Sequence, residues 1–146
     1  MKRRWPDLRL AAHRSLLKEV PLALAGALFC EFHLRRGTSL PRLTALLGIN
    51  LDREQRGEVI GLPAQLWIRR RAVDLVMRHW PVARERLCLR RSLVLGWRLR
   101  EVGPTLHLGV QHREGGVLAH AWLEVGGIRF DMSDQEYAPL LLPGQR

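Results

Sequence analysis

The hydrophobic pattern of this chain changes its period at Gly103-Pro104, and this change limits the folds open to the chain. Before this point apolar residues recur near the helical spacing, most clearly over residues 63–80. After it, over residues 105–112 and 117–125, every second residue belongs to an apolar face. Helices followed by a short run of strands are typical of an α+β fold. The sequence therefore predicts N-terminal helices followed by a small antiparallel sheet.

Turn and capping residues give the approximate limits of these elements. We expect a single domain that begins with a helical region over residues 1–60. The polar segment from Asn50 to Gly61 is predicted to be a connection with at most one helical turn. The first helix is expected to break or kink at Pro21, because proline lacks the backbone N–H of a helix interior. The predicted helices cover residues 8–34, 41–47, 63–80 and 88–102.

The apolar run from Val20 to Cys30 is too short to span a membrane, which takes ~18 residues, and it contains Pro21 and Gly26. The basic residues before it continue as far as Lys18, and no small-residue cleavage site follows. We therefore expect no signal peptide, no transmembrane segment and a cytoplasmic protein.

The formal net charge of +10 ordinarily suggests nucleic acid or an anionic surface as a partner. Of the 24 basic residues 22 are arginines, and the excess lies in residues 1–100. No aromatic residues are interleaved with them as in a base-stacking platform. We therefore interpret the arginines as the solvated faces of helices, including Arg69, Arg70 and Arg71, and expect no nucleic-acid partner.

A histidine lies in the middle of a predicted strand, and a carboxylate is expected beside it. If Gly126-Gly127 forms a two-residue hairpin loop, the paired positions sum to 253, which puts Trp122 opposite Asp131. His120 then has Asp131 as its diagonal neighbour on the same face of the sheet. The same register keeps the other face apolar. The pattern indicates an imidazole oriented by a carboxylate.

Cys88 is predicted to lie at the start of a helix, after the break at Pro81, with four arginines around it. Helix N-terminal amides and nearby cations favour thiolate over thiol, which makes a nucleophile. An oriented base then needs only to approach the sulfur. Cys30 lies on an apolar helix and is predicted to be a small buried hydrophobe. The flanking arginines are Arg84, Arg86, Arg90 and Arg91.

The segments "CLRRSLVLGWRLREVG", "LHLGVQHREGG" and "AHAWLEVGGIRFDMSD" resemble the transglutaminase-like, papain-related cysteine peptidases of lasso-peptide biosynthesis. These B proteins remove the leader from a ribosomally made precursor. The resemblance covers residues 63–140 and implies a helix bearing the nucleophile, packed on the antiparallel sheet. It implies a catalytic triad of Cys88, His120 and Asp131. Family members often end the last strand in Asn-Asp or Asp-Asp, so Asp134 is the reserve for the third position.

The resemblance also implies partners. Some members carry an N-terminal leader-recognition domain, whereas this chain resembles the stand-alone peptidase, which works with a separate recognition protein. The precursor's leader is then the substrate, and an ATP-dependent cyclase is a further partner. No cofactor and no metal are implied.

The sequence leaves three alternatives open. The same residue types serve acyl transfer to an amine, and the arginines suit a basic module that binds nucleic acid or an anionic surface. A metal site is the weakest alternative, because no closely spaced ligand pair is present. Its ligands would be Cys88, His107, His112 and His120. Gln111 and His107 are candidates for the second oxyanion donor beside the Cys88 amide.

Overall fold

Helices and one sheet build the described part of the molecule, and α4 covers one face of the sheet at β2 and β3. The computed structural model describes residues 6–51, 63–130 and 138–139, with side chains for 12–51 and for 63–130 apart from Arg113. The helices are α1 (Pro6–Arg35), α2 (Leu40–Leu47), α3 (Ala64–Arg78) and α4 (Leu87–Arg98), with 3-10 turns at Arg84–Arg86 and Arg100–Val102. The strands are β1 (Asn50–Leu51), β2 (Thr105–Arg113), β3 (Gly116–Val125), β4 (Ile128–Phe130) and β5 (Ala138–Pro139).

The predicted α+β fold is confirmed, with one change to the sheet. The strands follow the order β1-β2-β3-β4. β5 pairs with the same edge of β2 as β1 does, but farther along that strand. The pairs β2–β3, β3–β4 and β2–β5 are antiparallel, but β1 runs parallel to β2. The sheet is therefore mixed. β1 lies at the start of the segment predicted to be a connection. The sequence did not predict this strand, because two residues are too few to show alternation of apolar and polar side chains.

The first helix does not break at Pro21. α1 is continuous from Pro6 to Arg35 and contacts both α3 and α4. Burial of one face against α3 and α4 stabilises the helix on both sides of the proline, which outweighs the missing backbone donor. The predicted break at Pro21 is therefore wrong, and the alternative of a kink there stays a prediction. None of the helices in residues 6–51 and 63–130 is long and apolar enough to cross a membrane.

Two predicted loops have the expected geometry. Gly48 ends α2 with φ of 71°, which is the left-handed conformation that glycine adopts readily. Gly126 and Gly127 join β3 to β4 with φ of 55° and 77°, as a two-residue loop with positive φ at both positions requires.

The core lies between the helices and the covered face of the sheet. α4 supplies its central side chains, and the 3-10 turn at 100–102 replaces the last turn predicted for this helix. Removal of this apolar area from water is the main stabilising contribution to the fold, at ~25 cal/mol per Å². The fully buried side chains include Leu93, Val94, Leu95, Leu99, Leu106, Leu123, Val125 and Phe130.

Several arginines predicted to be solvated are in fact buried or partly buried in ion pairs between helices. The carboxylate of Glu19 on α1 pairs with the guanidinium groups of Arg98 on α4 and Arg69 on α3. Arg69 also donates to the carboxylate of Glu101 and to the Arg98 carbonyl, the latter at 3.0 Å. The interpretation of Arg69 as a solvated residue was therefore wrong, whereas Arg71 is exposed. Opposite charges on three helices compensate one another away from water.

Candidate active site

Cys88 is the second residue of α4, one position later in the helix than predicted. Its side chain is partly buried, and the thiol donates a hydrogen bond to the Glu85 carbonyl, with 3.7 Å between sulfur and oxygen. The 3-10 turn at Arg84–Arg86 runs directly into α4, and the Leu87 N–H bonds to the Arg84 carbonyl. The sulfur therefore lies at the positive end of the α4 dipole, the position expected for a nucleophile.

Two of the four arginines around Cys88 are committed to carboxylates. Arg90 donates from Nε to Glu31 Oε2 at 2.6 Å and from an Nη to Oε1 at 3.3 Å. Arg91 donates from Nε to Asp74 at 2.6 Å. Their positive charges are thus largely compensated within the protein, contrary to the expectation that all four act on the thiol. Arg84 and Arg86 are exposed.

Glu31 anchors the start of α4 to α1. It accepts hydrogen bonds from Arg90, from Arg35 at 2.9 Å and from the Trp80 indole at 3.4 Å. The Arg90 hydrogen bonds lower the pKa of the Glu31 carboxyl to about 2. Arg90 also donates to the Arg86 carbonyl at 3.1 Å. One carboxylate on α1 therefore holds the turn that carries Cys88.

α4 lies along β3 in a regular register. The Ser92 hydroxyl donates to the Ala121 carbonyl, 3.3 Å away. One helical turn later, a Cβ built on Gly96 would lie 3.2 Å from Leu123. Four helical residues rise ~6 Å, close to the ~6.8 Å covered by two strand residues. One turn earlier, Cys88 is therefore level with residue 119, the neighbour of His120.

His120 lies on the face of the sheet opposite to α4, in a row of aromatic rings. Its imidazole stacks on Trp122 with centroids 6.2 Å apart, and Trp122 stacks on His107 of β2 at 5.5 Å. Arg129 of β4 lies over the Trp122 ring at 4.5 Å, and Glu124 is 3.5 Å from the His107 ring nitrogen. The row orients the imidazole through ring contacts on one side.

The structure brings the helix of Cys88 and the strand of His120 together, but it does not show the two groups hydrogen-bonded. The thiol donates to Glu85, and the imidazole leaves β3 on the face opposite to Ala121. Catalytic hydrogen bonds are often long or misaligned in a free enzyme and shorten when substrate binds. At this end of β3 the core does not hold the strand, because Val117 is 60% exposed and Ala119 is exposed.

The third predicted residue, Asp131, and its reserve, Asp134, lie outside the described residues. The register that predicts the place of Asp131 holds as far as the structure describes it, since Leu123 pairs with Phe130 and Val125 with Ile128. The diagonal position of Asp131 next to His120 remains a prediction.

The remaining candidates from the sequence are Cys30, the two possible oxyanion donors and the possible metal site. Cys30 is buried, as predicted, and burial raises the pKa of its thiol to about 12. His107 belongs to the ring row and Gln111 is partly buried on β2. In the part of the chain that the structure describes, no three His, Cys, Asp or Glu residues are grouped to hold a metal ion.

No local pattern in the sequence marks the contacts of Glu31 and Ser92 or the pairing of Asp74 with Arg91. Glu31 and Arg90 are 59 residues apart in sequence, and Asp74 and Arg91 are 17 apart. Asp74 also pairs with Arg70 on its own helix, at 3.7 Å. No local pattern points to contacts between separate helices.

Residues 64–141, just over half of the chain, match the family described as the transglutaminase-like superfamily. No curated protein and no solved structure matches the chain significantly. The matched segment begins with α3 and includes both Cys88 and His120. Papain-like cysteine proteases and acyltransferases are the enzymes typical of this superfamily. The α+β fold, the cysteine in the first turn of α4 and the family match agree, and the chain belongs to the transglutaminase-like superfamily.

Proposed function

We propose that this protein is a cytoplasmic cysteine peptidase that removes the leader from a ribosomally made lasso-peptide precursor. Cys88 is the nucleophile, His120 the general base and acid, and Asp131 the residue that orients His120. The observation that carries the proposal is the position of the Cys88 thiol in the first turn of a helix that lies along the strand of His120. The resemblance of the "AHAWLEV" segment to lasso leader peptidases supports the choice of substrate.

The reaction proceeds through a thioester. His120 takes the thiol proton, the sulfur of Cys88 bonds to the scissile carbonyl carbon, and the Cys88 backbone N–H stabilises the oxyanion. The C–N bond then breaks as the imidazolium gives its proton to the departing amine of the core peptide. Water, deprotonated by His120, attacks the thioester and releases the leader carboxylate and the Cys88 thiolate.

Formation of the productive pair requires a local movement. Cys88 is held by the Glu31–Arg90 ion pair, so the strand is the part that adjusts. Val117 and Ala119 bury no side chain in the core, and their displacement therefore costs little apolar burial. We infer that the bound leader shifts this end of the paired strands β2 and β3 and brings the His120 imidazole to the sulfur.

The proposed reaction needs partners. A separate leader-recognition protein presents the precursor, and an ATP-dependent cyclase takes the product, whose new amine is then joined to an Asp or Glu side chain. These partners follow from the resemblance to stand-alone peptidases of lasso-peptide biosynthesis.

Identification of the products tests the proposal. The precursor is incubated with the chain and its recognition partner, with and without a primary amine, and the products are identified by mass spectrometry. We expect a free leader carboxylate and a core peptide with a new amino terminus. Leader amides as the main product would instead assign acyl transfer, the other activity of the superfamily.

A basic binding module is the remaining alternative. Arg69, Arg91 and Arg98 are committed to carboxylates, so they are not free to neutralise phosphates. Binding to duplex DNA that falls steeply with salt and survives in Cys88→Ala would support the alternative. We expect no such binding.

A further inference from the structure

α1 buries mainly small residues, with Leu16, Val20 and Leu34 partly buried at the edge of the core, and exposes most of its large apolar residues. Ala23, Gly26, Ala27 and Cys30 are buried against α3 and α4. Along the opposite side runs an exposed apolar stripe, which consists of Leu17, Leu24, Leu28 and Phe32. These residues recur at helical spacing over ~22 Å of helix. Contiguous exposed apolar surface of this extent is typical of an interaction site.

Close packing prevents the helix from turning its stripe inward. A Cβ built on Gly26 would lie 2.7 Å and 2.9 Å from two carbons of the Trp97 ring. Rotation of α1 about its axis would place leucine side chains where even one methyl group does not fit. The ion pair of Glu19 with Arg98 fixes the same orientation. The exposure of the stripe is therefore built into the fold.

An apolar groove continues the stripe towards α3. It measures about 390 Å³ and is lined by residues that include Val20, Leu24, Val76 and Trp80. Leu24 belongs to both the stripe and the groove. An apolar side chain of a protein partner can insert into a concave groove, whereas the surface of a lipid bilayer cannot. The shape therefore favours a protein segment over a membrane.

Cations lie at both ends of the stripe. Arg14 and Lys18 are exposed at one end, and neither forms an ion pair within the part of the chain that the structure describes. At the other end Arg36 lies over the Phe32 ring at 5.1 Å. A second copy of the chain would bring cations against cations in either orientation of its helix. Charge complementarity requires a partner with carboxylates at its flanks.

We propose that the stripe and groove of α1 dock a helical segment of a partner protein that carries large apolar side chains between acidic residues. Binding at this surface does not require the peptidase reaction. Cys88 lies on α4, so Cys88→Ala abolishes the proposed catalysis and leaves the side chains of the stripe on α1 unchanged. Failure of one proposal thus leaves the other standing.

Two synthetic peptides test the docking surface. Both form an amphipathic helix with leucine and phenylalanine on one face, but one carries glutamates at its flanks and the other carries lysines at the same positions. Binding to the full chain and to Cys88→Ala is measured by fluorescence anisotropy at low and high salt. We expect the acidic peptide to bind both proteins with an affinity that falls with salt, and the basic peptide to bind at least about tenfold more weakly.

Leu28→Glu is the decisive variant and Leu46→Glu is its matched control. The two leucines are 57% and 56% exposed, but Leu46 lies on α2, outside the stripe. Leu28→Glu should weaken binding of the acidic peptide by about tenfold or more, and Leu46→Glu should leave it unchanged. Arg14→Gln combined with Lys18→Gln should weaken it and reduce its salt dependence.

Other occupants give different results, each of which overturns the proposal. Equal binding of both peptides, or binding unaffected by Leu28→Glu, would show that the stripe is not the site. A dimer in sedimentation that Leu28→Glu dissociates would identify a second copy as the occupant. Binding to vesicles of anionic phospholipid without binding to the acidic peptide would identify a membrane surface.

Discussion

At the scale of single residues, the two cysteines have opposite environments. Cys30 lies on the buried side of α1, and burial raises the pKa of its thiol to about 12. Cys88 is partly exposed in the first turn of α4. The amino-acid sequence distinguishes the two correctly, because Cys30 has apolar neighbours at helical spacing and Cys88 follows a helix break.

Alkylation is expected to discriminate between these thiols. Iodoacetamide at neutral pH should modify Cys88 in the folded protein and leave Cys30 unmodified, since the reagent reaches only the partly exposed Cys88 and burial raises the pKa of the Cys30 thiol to about 12. Peptide mapping by mass spectrometry locates the label, and both thiols should react in urea. Faster modification of Cys30 in the folded protein would contradict the assignment.

Glu31 should make the stability of the protein depend on acid pH. Hydrogen bonds from Arg90 lower its pKa from 4.5 to about 2 in the folded state, so the folded protein binds this proton less readily than the unfolded chain. The stabilisation is fully present above pH 4.5 and is lost as pH falls through 2. Glu31→Gln should lower the free energy of unfolding by about 1–2 kcal/mol at neutral pH.

Urea unfolding of both proteins across the acid range provides the measurement. The wild-type curve should converge on that of Glu31→Gln as the pH falls. Glu114→Gln, a substitution in the exposed turn between β2 and β3, is the control and should run parallel to the wild type. A constant difference between wild type and Glu31→Gln at all pH values would refute the role of the ion pair.

At the scale of elements, the spacing between α4 and the sheet positions the site. Gly96 lets the helix approach Ile49, which precedes β1, and Leu123 of β3. The hairpin β3–β4 was predictable because its two-residue glycine loop and alternating pattern allow one register. The ion pairs Glu31–Arg90 and Asp74–Arg91 could not be predicted in the same way. They join separate helices, and the spacing of residues within one helix does not indicate which helices pack together.

Gly96→Ala should therefore destabilise the protein. The added methyl would lie 2.5 Å from Ile49 Cδ1 and 2.8 Å from its Cγ1, so the helix or Ile49 must shift. We expect a loss of about 1–3 kcal/mol in the free energy of unfolding, measured with urea. Ile49→Val removes Cδ1 and should recover part of this loss in the double variant. Strictly additive effects would show that the two residues are not in contact.

At the scale of the whole molecule, buried charge joins the N-terminal helix to the transglutaminase-like core. Glu19 of α1 pairs with Arg98 and Arg69, and α1 itself precedes the matched residues 64–141. The arginine content suggested solvated helix faces, because a sequence does not reveal which arginines meet carboxylates in the interior. The N-terminal helices are thus part of the same packed body as α3 and α4.

Removal of the Glu19 carboxylate should destabilise this body strongly. Glu19→Gln leaves the buried guanidinium of Arg98 without its counter-charge, which costs about 3–5 kcal/mol. Thermal and urea unfolding should show one cooperative transition at a lower midpoint, with Glu114→Gln unchanged as the control. Separate unfolding of an intact core in Glu19→Gln would contradict the view that α1 and the core form one unit.

The most direct measurement of the proposed chemistry is leader removal by matched single variants. Precursor peptide and recognition partner are held constant, and the rate of cleavage is followed by mass spectrometry for Cys88→Ala, His120→Ala, Asp131→Ala and Cys30→Ala, each checked for folding by circular dichroism. We expect rates at least about a hundredfold lower for the first three variants, with Cys30→Ala close to the wild type. Cleavage by folded Cys88→Ala at the wild-type rate would contradict the assignment of Cys88 as the nucleophile.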